Sequence, residues 1–399
     1  MIKEPTMENI SLPVGWEMKK LANVLNIQNG YAFNSKLFSS ESGIPLIRIR
    51  DIKKGIDTVI KYTGEYDKKY EVNSGDFLIG MDGEFGCYEW KGEKALLNQR
   101  VCRLQDFNKI DSKFLFYGIN KYLKDIEDVT TFTTVKHISS SQIKNIQFPL
   151  PPLPQQKQIV LTLDKAFAAI DTAKANAEQN LQNAKELFES YLQIVFENKG
   201  DDWEEKSLGK VAEVTYGFTG KAYEEGDYRY VRITDIDDNG ELNKANKKYL
   251  KSSEEGLNFL LNDNDIVMAR TGATFAKLLL YKDLEPSIFA SYLIRIDFFE
   301  DIENEFYWYF SKSRGYWEQA ENLSSGAAQP HFNGKALKQM VFSYPKSLQK
   351  QKSLISEFKA LQNQTKKLEA IYTQKIADLE EMKKSILQKA FSGQLNIQI

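Results

Sequence analysis

The sequence predicts an α/β (α+β) chain of two similar domains separated by two long antiparallel coiled-coil helices, in a pseudo-two-fold arrangement. Three observations predict it. The order of segments repeats through the two halves of the 399 residues. Each half closes on a long run of strong helix formers, and short β-type runs separated by Gly- and Asp-rich turns precede that run.

The repeat comes first because it organises everything else. Gly15-Trp16-Glu17 with Leu21 and Val24 matches Asp202-Trp203-Glu204 with Leu208 and Val211. Leu46-Ile47-Arg48-Ile49-Arg50-Asp51-Ile52 matches Tyr230-Val231-Arg232-Ile233-Thr234-Asp235-Ile236. Gly75-Asp76-Phe77-Leu78-Ile79 matches Asn264-Asp265-Ile266-Val267-Met268, and Gly83 or Gly272 follows shortly after. Both histidines, His137 and His331, occupy the same repeat position, each followed at equal spacing by a Phe and a Pro (Phe148 and Pro151; Phe342 and Pro345). The loops between matched segments differ far more than the apolar frame. That combination points to two domains doing one job on different targets.

After Pro154 no Gly or Pro intervenes before Phe196. Leu163, Phe167, Ile170, Ala177, Leu181, Ala184, Phe188, Tyr191 and Val195 recur at three- and four-residue steps and make a seam, broken by Lys174. The second run, from Gln349 to Phe391, carries Leu354, Phe358, Leu361, Leu368, Tyr372, Leu379, Met382 and Ile386. A helix of about 40 residues spans roughly 60 Å. An amphipathic rod of that length needs a partner, and the other copy supplies one, antiparallel if the two units pack through the same face. The expected division is a first domain over 1–153, a long helix over 154–200, a second domain over 201–348 and a second long helix over 349–399.

Within each domain, Trp16–Leu25 and Trp203–Val214 read as short amphipathic openings. Pro45–Ile52, Asp76–Met81 and Arg100–Leu104 read as strands, as do Tyr228–Ile236, Asp265–Ala269 and Tyr292–Ile296. Phe114–Tyr122 and Phe306–Trp317 read as aromatic helical segments, with Phe306 to Phe310 in the core.

Composition excludes several classes. No run approaches the roughly 20 apolar residues of a membrane span, and the N-terminal stretch has no apolar core like that of a secretory signal. Cys87 and Cys102 are the only cysteines and form no C-x-x-C pair; with two histidines, a Cys/His metal cluster is excluded. The expected setting is a reduced cytoplasm, with no membrane, metal or cofactor. Net charge is −2 overall; residues 1–150 hold 21 Lys+Arg against 19 Asp+Glu, and residues 201–345 hold 17 against 25. Bulk electrostatics therefore does not announce a polyanionic ligand.

The motifs of the competing enzyme classes are absent from the sequence. The adjacent prolines Pro151-Pro152 lie between Leu150 and Leu153 and do not form the Asn/Asp-Pro-Pro-aromatic clamp of adenine methyltransferases. No G-x-x-x-x-G-K-[ST] loop is present. Asp82 with Glu89-Trp90-Lys91 has a nuclease-like spacing, but the second copy has no matching acid between Thr271 and Asp283.

Taken together in two copies, these pieces resemble the specificity subunit of type I restriction-modification systems. The segments that carry the resemblance are Gly15-Trp16 with Leu21, Ile47 to Ile52, Ile79 to Phe85 with Leu97 to Arg100, and Ala269 to Thr274. The linker Pro149 to Lys157 and the ending Ala390 to Leu395 complete them. The resemblance covers essentially the whole chain; the second copy departs from it in lacking the proline-rich linker. It implies two target-recognition domains, each reading part of a bipartite site in double-stranded DNA. It also implies two methylation subunits as partners, two restriction subunits in the full complex, and no catalytic residue in this chain.

Base reading needs side chains with paired donors or acceptors, placed on loops at strand ends. In the first domain the candidates are Arg48, Arg50 and Lys53, the turn Asp82, Gly83, Glu84 and Phe85, and Thr133, Thr134 and Lys136. In the second they are Arg232 and Thr234, Arg270, Thr271 and Gly272, and Ser325, Gly326 and Gln329. The alternatives are structural: Arg48 and Arg232 pair with Asp51 and Asp235, the glycines only turn the chain, and the histidines pack or cap. Gln156, Lys157, Gln351 and Lys352, at matching helix starts, are candidate contacts for the methylation subunits. The competing reading of the whole chain is a coiled-coil adaptor presenting two protein-binding heads.

Overall fold

The computed structural model describes residues 12–130, 136–252, 254–324 and 332–395. The chain divides into two compact units, residues 1–175 with 376–399 and residues 176–375. The division passes through both long helices, so each unit holds one globular domain and a portion of each helix.

In the first unit, Glu17–Lys20 pairs antiparallel with Gln147–Leu150, the strand that leads into the first long helix. Beside this pair stands an antiparallel sheet in the order Asn26–Asn29, Val101–Gln105, Phe77–Gly80, Cys87–Glu89. A second sheet of short strands is built around Ile44–Ile47, which runs parallel to Ala95–Leu97. Helix Ser112–Val129 packs on the first sheet, and its Asn120 treats the edge strand as a partner strand would. Asn120 Oδ1 accepts from the Cys87 N–H at 2.7 Å and its amide donates to the Cys87 carbonyl at 3.2 Å. Cys87 and Cys102 both face Ile79 across the ladder and are free and buried; burial pushes the Cys102 thiol up to about 12. These are packing residues, not nucleophiles.

The second unit repeats this plan. Trp203–Ser207 pairs with Val341–Pro345, and the four-stranded order recurs as Ala212–Tyr216, Leu293–Phe298, Ile266–Ala269, Leu278–Leu280. Tyr228–Val231 runs parallel to Ser287–Phe289 in the smaller sheet. One element differs from expectation. The segment 306–317 is two helices, Asn304–Phe310 and Arg314–Leu323. The Ser311 hydroxyl bonds back to the Trp308 carbonyl, and Ser313 caps a new start by accepting from the Tyr316 N–H. Local hydroxyl bonding ends one helix and begins another. The aromatics of the first piece are core, Phe306 and Tyr307 being fully buried.

The long helices run over Leu153–Glu197 and Leu348–Phe391, 45 and 44 residues, in antiparallel directions. In the first unit, Lys174 pairs with Glu380 and Asp171 with Lys383, so the residue that interrupts the apolar seam is neutralised within it. Gly118 lets the end of the second helix seat: a β-carbon there would lie 2.4 Å from the Phe391 ring. In the second unit, Leu192 and Phe196 pack with Leu354, Ile355 and Phe358. Thr365 is buried, whereas Leu368 and Met382, expected in the seam, are 37% and 51% exposed. Ile371 is likewise exposed, at 59%.

Gln156 and Gln351, expected at a partner surface, are 0% exposed. The Gln156 Oε1 accepts from the Asp111 N–H at 2.7 Å, and its Nε2 donates to the carbonyls of Lys109 at 3.1 Å and Pro151 at 2.8 Å. Gln351 does the same with the Glu303 N–H at 2.8 Å and the carbonyls of Asp301 at 2.9 Å and Pro345 at 2.8 Å. Each amide fastens a long helix to its own domain by satisfying backbone groups that would otherwise be orphaned. Lys157 and Lys352, one residue on, are exposed.

Replacing Gln156 or Gln351 by Leu keeps the volume and strands one backbone N–H and two carbonyls. A loss of about 2–4 kcal/mol is expected in each case. Lys157→Ala is expected to change stability by less than about 0.5 kcal/mol. Denaturant unfolding of the purified variants, followed by circular dichroism, checks the contrast.

Candidate nucleic-acid interface

In the first unit, four loops meet beyond strand Phe77–Gly80. The turn at Asp82 is tied to its neighbours at three points. The Gly83 N–H donates to the Lys136 carbonyl at 2.9 Å, the Asp82 carboxylate meets His137 and Arg100, and Glu84 pairs with Lys53. Gly83 has φ +78° with nothing near its missing β-carbon, so conformation and not space requires glycine here. Gly272 stands in the equivalent turn of the second unit at φ +79°. Phe85 belongs to the core at 6% exposure, and its N–H is held by Glu127 Oε2 at 3.0 Å. As a candidate reader it is withdrawn: its side chain has no access to a groove. Glu127 is itself buried, and its hydrogen bond with Lys124 holds its carboxyl below the usual range against the opposing effect of burial.

Arg48 and Arg232 build a turn in both units. The Asp51 carboxylate accepts from the Arg48 N–H at 3.0 Å and from its Nε at 3.2 Å, and the Asp51 N–H returns to the Arg48 carbonyl at 2.8 Å. Asp235 accepts from the Arg232 N–H at 2.8 Å and grips the guanidinium through both oxygens, at 3.1 and 2.9 Å. This clasp ends the strands at Ile47 and Val231, short of the extended runs expected through Ile52 and Ile236. Two residues further on, Arg50 and Thr234 occupy equivalent positions, are exposed, and differ between the units. The clasp fixes the backbone, and the residue it presents to solvent is the one that varies.

In the second unit, Arg270 lies 4.6 Å over the Tyr216 ring and donates to the Ser291 carbonyl at 3.1 Å. Thr271 is buried. The exposed groups nearby are Tyr292 at 57% and Tyr216 at 42%. Lys221 and Lys251 lie 5.6 and 5.2 Å from the ring of Tyr223. They supply a local basic site in a domain that is acidic overall. Thr133, Thr134, Ser325, Gly326 and Gln329, and also His331, lie outside the described residues. Sequence reasoning passed over Arg100 and Tyr292, which share a repeat position, and read His137 as a packing or capping residue. The available signal was the recurrence of histidine at one place in both halves. Glu89 pairs with Phe77 at the far end of the hairpin from Asp82, so the nuclease-like spacing does not converge on one site.

The duplicated plan finds its match in a family model described as the type I restriction modification DNA specificity domain, which fits residues 13–183 and again 200–381. The chain belongs to this family. The specificity subunit of the type I restriction enzyme EcoBI from Escherichia coli is 29% identical, over 98% of this chain and 88% of that one. The MjaVIII specificity subunit of Methanocaldococcus jannaschii is 25% identical, over 98% and 95%. Among solved structures, a chain from work on assembly and conformational transition of a type I R-M system has a TM-score of 0.73 at 17% identity, covering 96% of this chain and 99% of that one. The HsdS subunit from Thermoanaerobacter tengcongensis gives 0.61 at 18% identity, over 96% and 98%. At these identities the structural likeness speaks for the fold. The family's specificity domain is thus present twice, each copy carrying an Arg-x-x-Asp clasp and a left-handed glycine turn.

Two outcomes follow for the specificity domains. Asp51→Ala or Asp235→Ala removes a charge-assisted clasp and is expected to cost about 1–3 kcal/mol, measured by thermal and denaturant unfolding. Because Glu127 has a lowered folded-state pKa, its stabilisation is complete above about pH 4.5, its ordinary value, and is lost as pH falls through the lower folded value. Hydrogen exchange at the Phe85 amide is expected to accelerate over that acid range in the parent and to lose this pH dependence in Glu127→Gln.

Proposed function

We propose that this chain supplies the sequence choice of a type I restriction-modification complex. Each compact unit reads one half of a bipartite site in double-stranded DNA, and the long helices fix the unread gap between the halves. The observation that carries this reading is the pairing of one duplicated backbone device with dissimilar presented residues: Arg50 against Thr234, and Arg100 against Tyr292. A common frame sets register on the duplex, while the differing side chains choose bases.

The near-neutral and acidic charge of the two domains has a place in this scheme. The charged groups at the first loop cluster are largely paired, Lys53 with Glu84 and Arg100 with Asp82, which suits base reading better than phosphate gripping. Two methylation subunits would then contribute much of the phosphate neutralisation, as well as base flipping and methyl transfer. Their docking surfaces would be the exposed faces of the long helices, which carry Leu161, Leu187 and Ile194 on the first and Leu368, Ile371 and Met382 on the second, with Lys157 and Lys352 exposed near the helix starts. Two restriction subunits complete the nuclease, and this chain carries no catalytic group of its own.

The test is to co-express the chain with a cognate methylation subunit and map modified adenines across a genome. A split motif with a fixed gap is expected. Removing seven residues from each long helix shortens the rod by about 10 Å, equivalent to about three base pairs. The gap is expected to change while both half-motifs persist; an unchanged gap would refute the ruler.

A further inference from the structure

The Asp82 carboxylate holds two side chains at once. Its Oδ1 lies 2.6 Å from His137 Nδ1 and its Oδ2 lies 3.5 Å from Arg100 Nε. The three residues come from three loops of the first unit, and the two held side chains are the more exposed, at 44% and 57% against 27% for Asp82. Arg100 takes φ +71°, a left-handed backbone that a residue with a β-carbon rarely adopts. Such conformations persist where the surroundings impose them, and they gather at binding sites.

The chemistry of this cluster is directional. A carboxylate only accepts, so Nδ1 carries the proton; in the neutral ring Nε2 is then an acceptor. Arg100 faces Asp82 through its Nε in an ion pair and keeps its terminal N–H groups as donors. Among the described residues, neither His137 Nε2 nor those terminal groups have a recorded partner. One acceptor-bearing ring and one donor-bearing guanidinium, both exposed, are thus gathered about a single carboxylate. In the major groove, adenine alone offers the complement, an N6 amino donor beside an N7 acceptor. Guanine offers two acceptors there, thymine an acceptor and a methyl group, and cytosine a donor.

We propose that Arg100 and His137, positioned by Asp82, read one adenine in the half-site taken by the first unit. Arg100 donates to N7 and His137 Nε2 accepts from the N6 amino group. The inference rests on the functional reading above. It belongs to the first unit only, because Thr271 and Tyr292 replace Asp82 and Arg100 in the second.

The test uses the full chain assembled with its methylation subunits. Once the motif is mapped, duplexes carry either 7-deazaadenine, which lacks the N7 acceptor, or purine, which lacks the amino group, at each adenine of the first half-site. At one adenine, each analogue is expected to weaken binding by the parent complex about tenfold. His137→Ala is expected to be indifferent to loss of the amino group, Arg100→Ala to loss of N7, and Asp82→Ala to have diminished sensitivity to both. Arg100→Gly, which relieves the backbone conformation, should behave as Arg100→Ala. Absence of any split motif would overturn the functional reading itself. A split motif with no analogue-sensitive adenine in that half, or variants that weaken all duplexes equally, would overturn this inference and leave the functional reading standing.

Discussion

The structure depends on a buried amide used twice. At the root of each long helix, one glutamine side chain fills an acceptor and two donor roles, closing three backbone groups that neither helix nor strand could satisfy. Each such bond is worth about 1 kcal/mol net, while an unmet buried group costs about 1–3. The direction in which a rod leaves its domain is thus settled by a few short-range bonds. Any function that relies on a fixed rod depends on this fastening before it depends on the apolar seam.

The balance of charge makes sense on the same local scale. A chain of net charge −2 is a poor general ligand for phosphates. Its charged groups are instead spent on turn-building: Asp51 and Asp235 on arginines of their own loops, Asp82 on Arg100 and His137, Glu127 on a backbone N–H and Lys124. Preorganised loops of this sort favour discrimination over affinity, since their side chains are already held when a duplex arrives. Lys221 and Lys251, by contrast, are exposed and gathered about the ring of Tyr223.

Much of this was legible in the sequence because repetition and helix-forming runs are strong signals. The two domains, the long helices and the aromatic core all followed from matched apolar positions, whereas the order of strands within each sheet did not. Local polar chemistry was harder to read. The clasp at Arg48 and Arg232 ends a strand that β-propensity alone would extend, because a carboxylate three residues on competes with the ladder for the backbone. Gln156 and Gln351 looked like surface residues beside exposed lysines, since nothing in a sequence says that a polar side chain will be enclosed by carbonyls. Phe85 was read as part of an exposed turn, although its neighbours Met81 and Cys87 already marked an inward face. The cluster of Asp82, Arg100 and His137 is drawn from distant segments, and only the tertiary fold brings them together.

One feature of the chain's division bears on how the molecule is made. The second unit is continuous, whereas the first is completed by residues 376–399, with Ala390 fully buried and Phe391 lodged against Gly118. Residues 1–175 must therefore wait for a stretch made some two hundred residues later before their core can close. Until then an apolar surface waits open on the first unit, and synthesis halted before residue 376 would yield a well-formed second unit joined to an unfinished first.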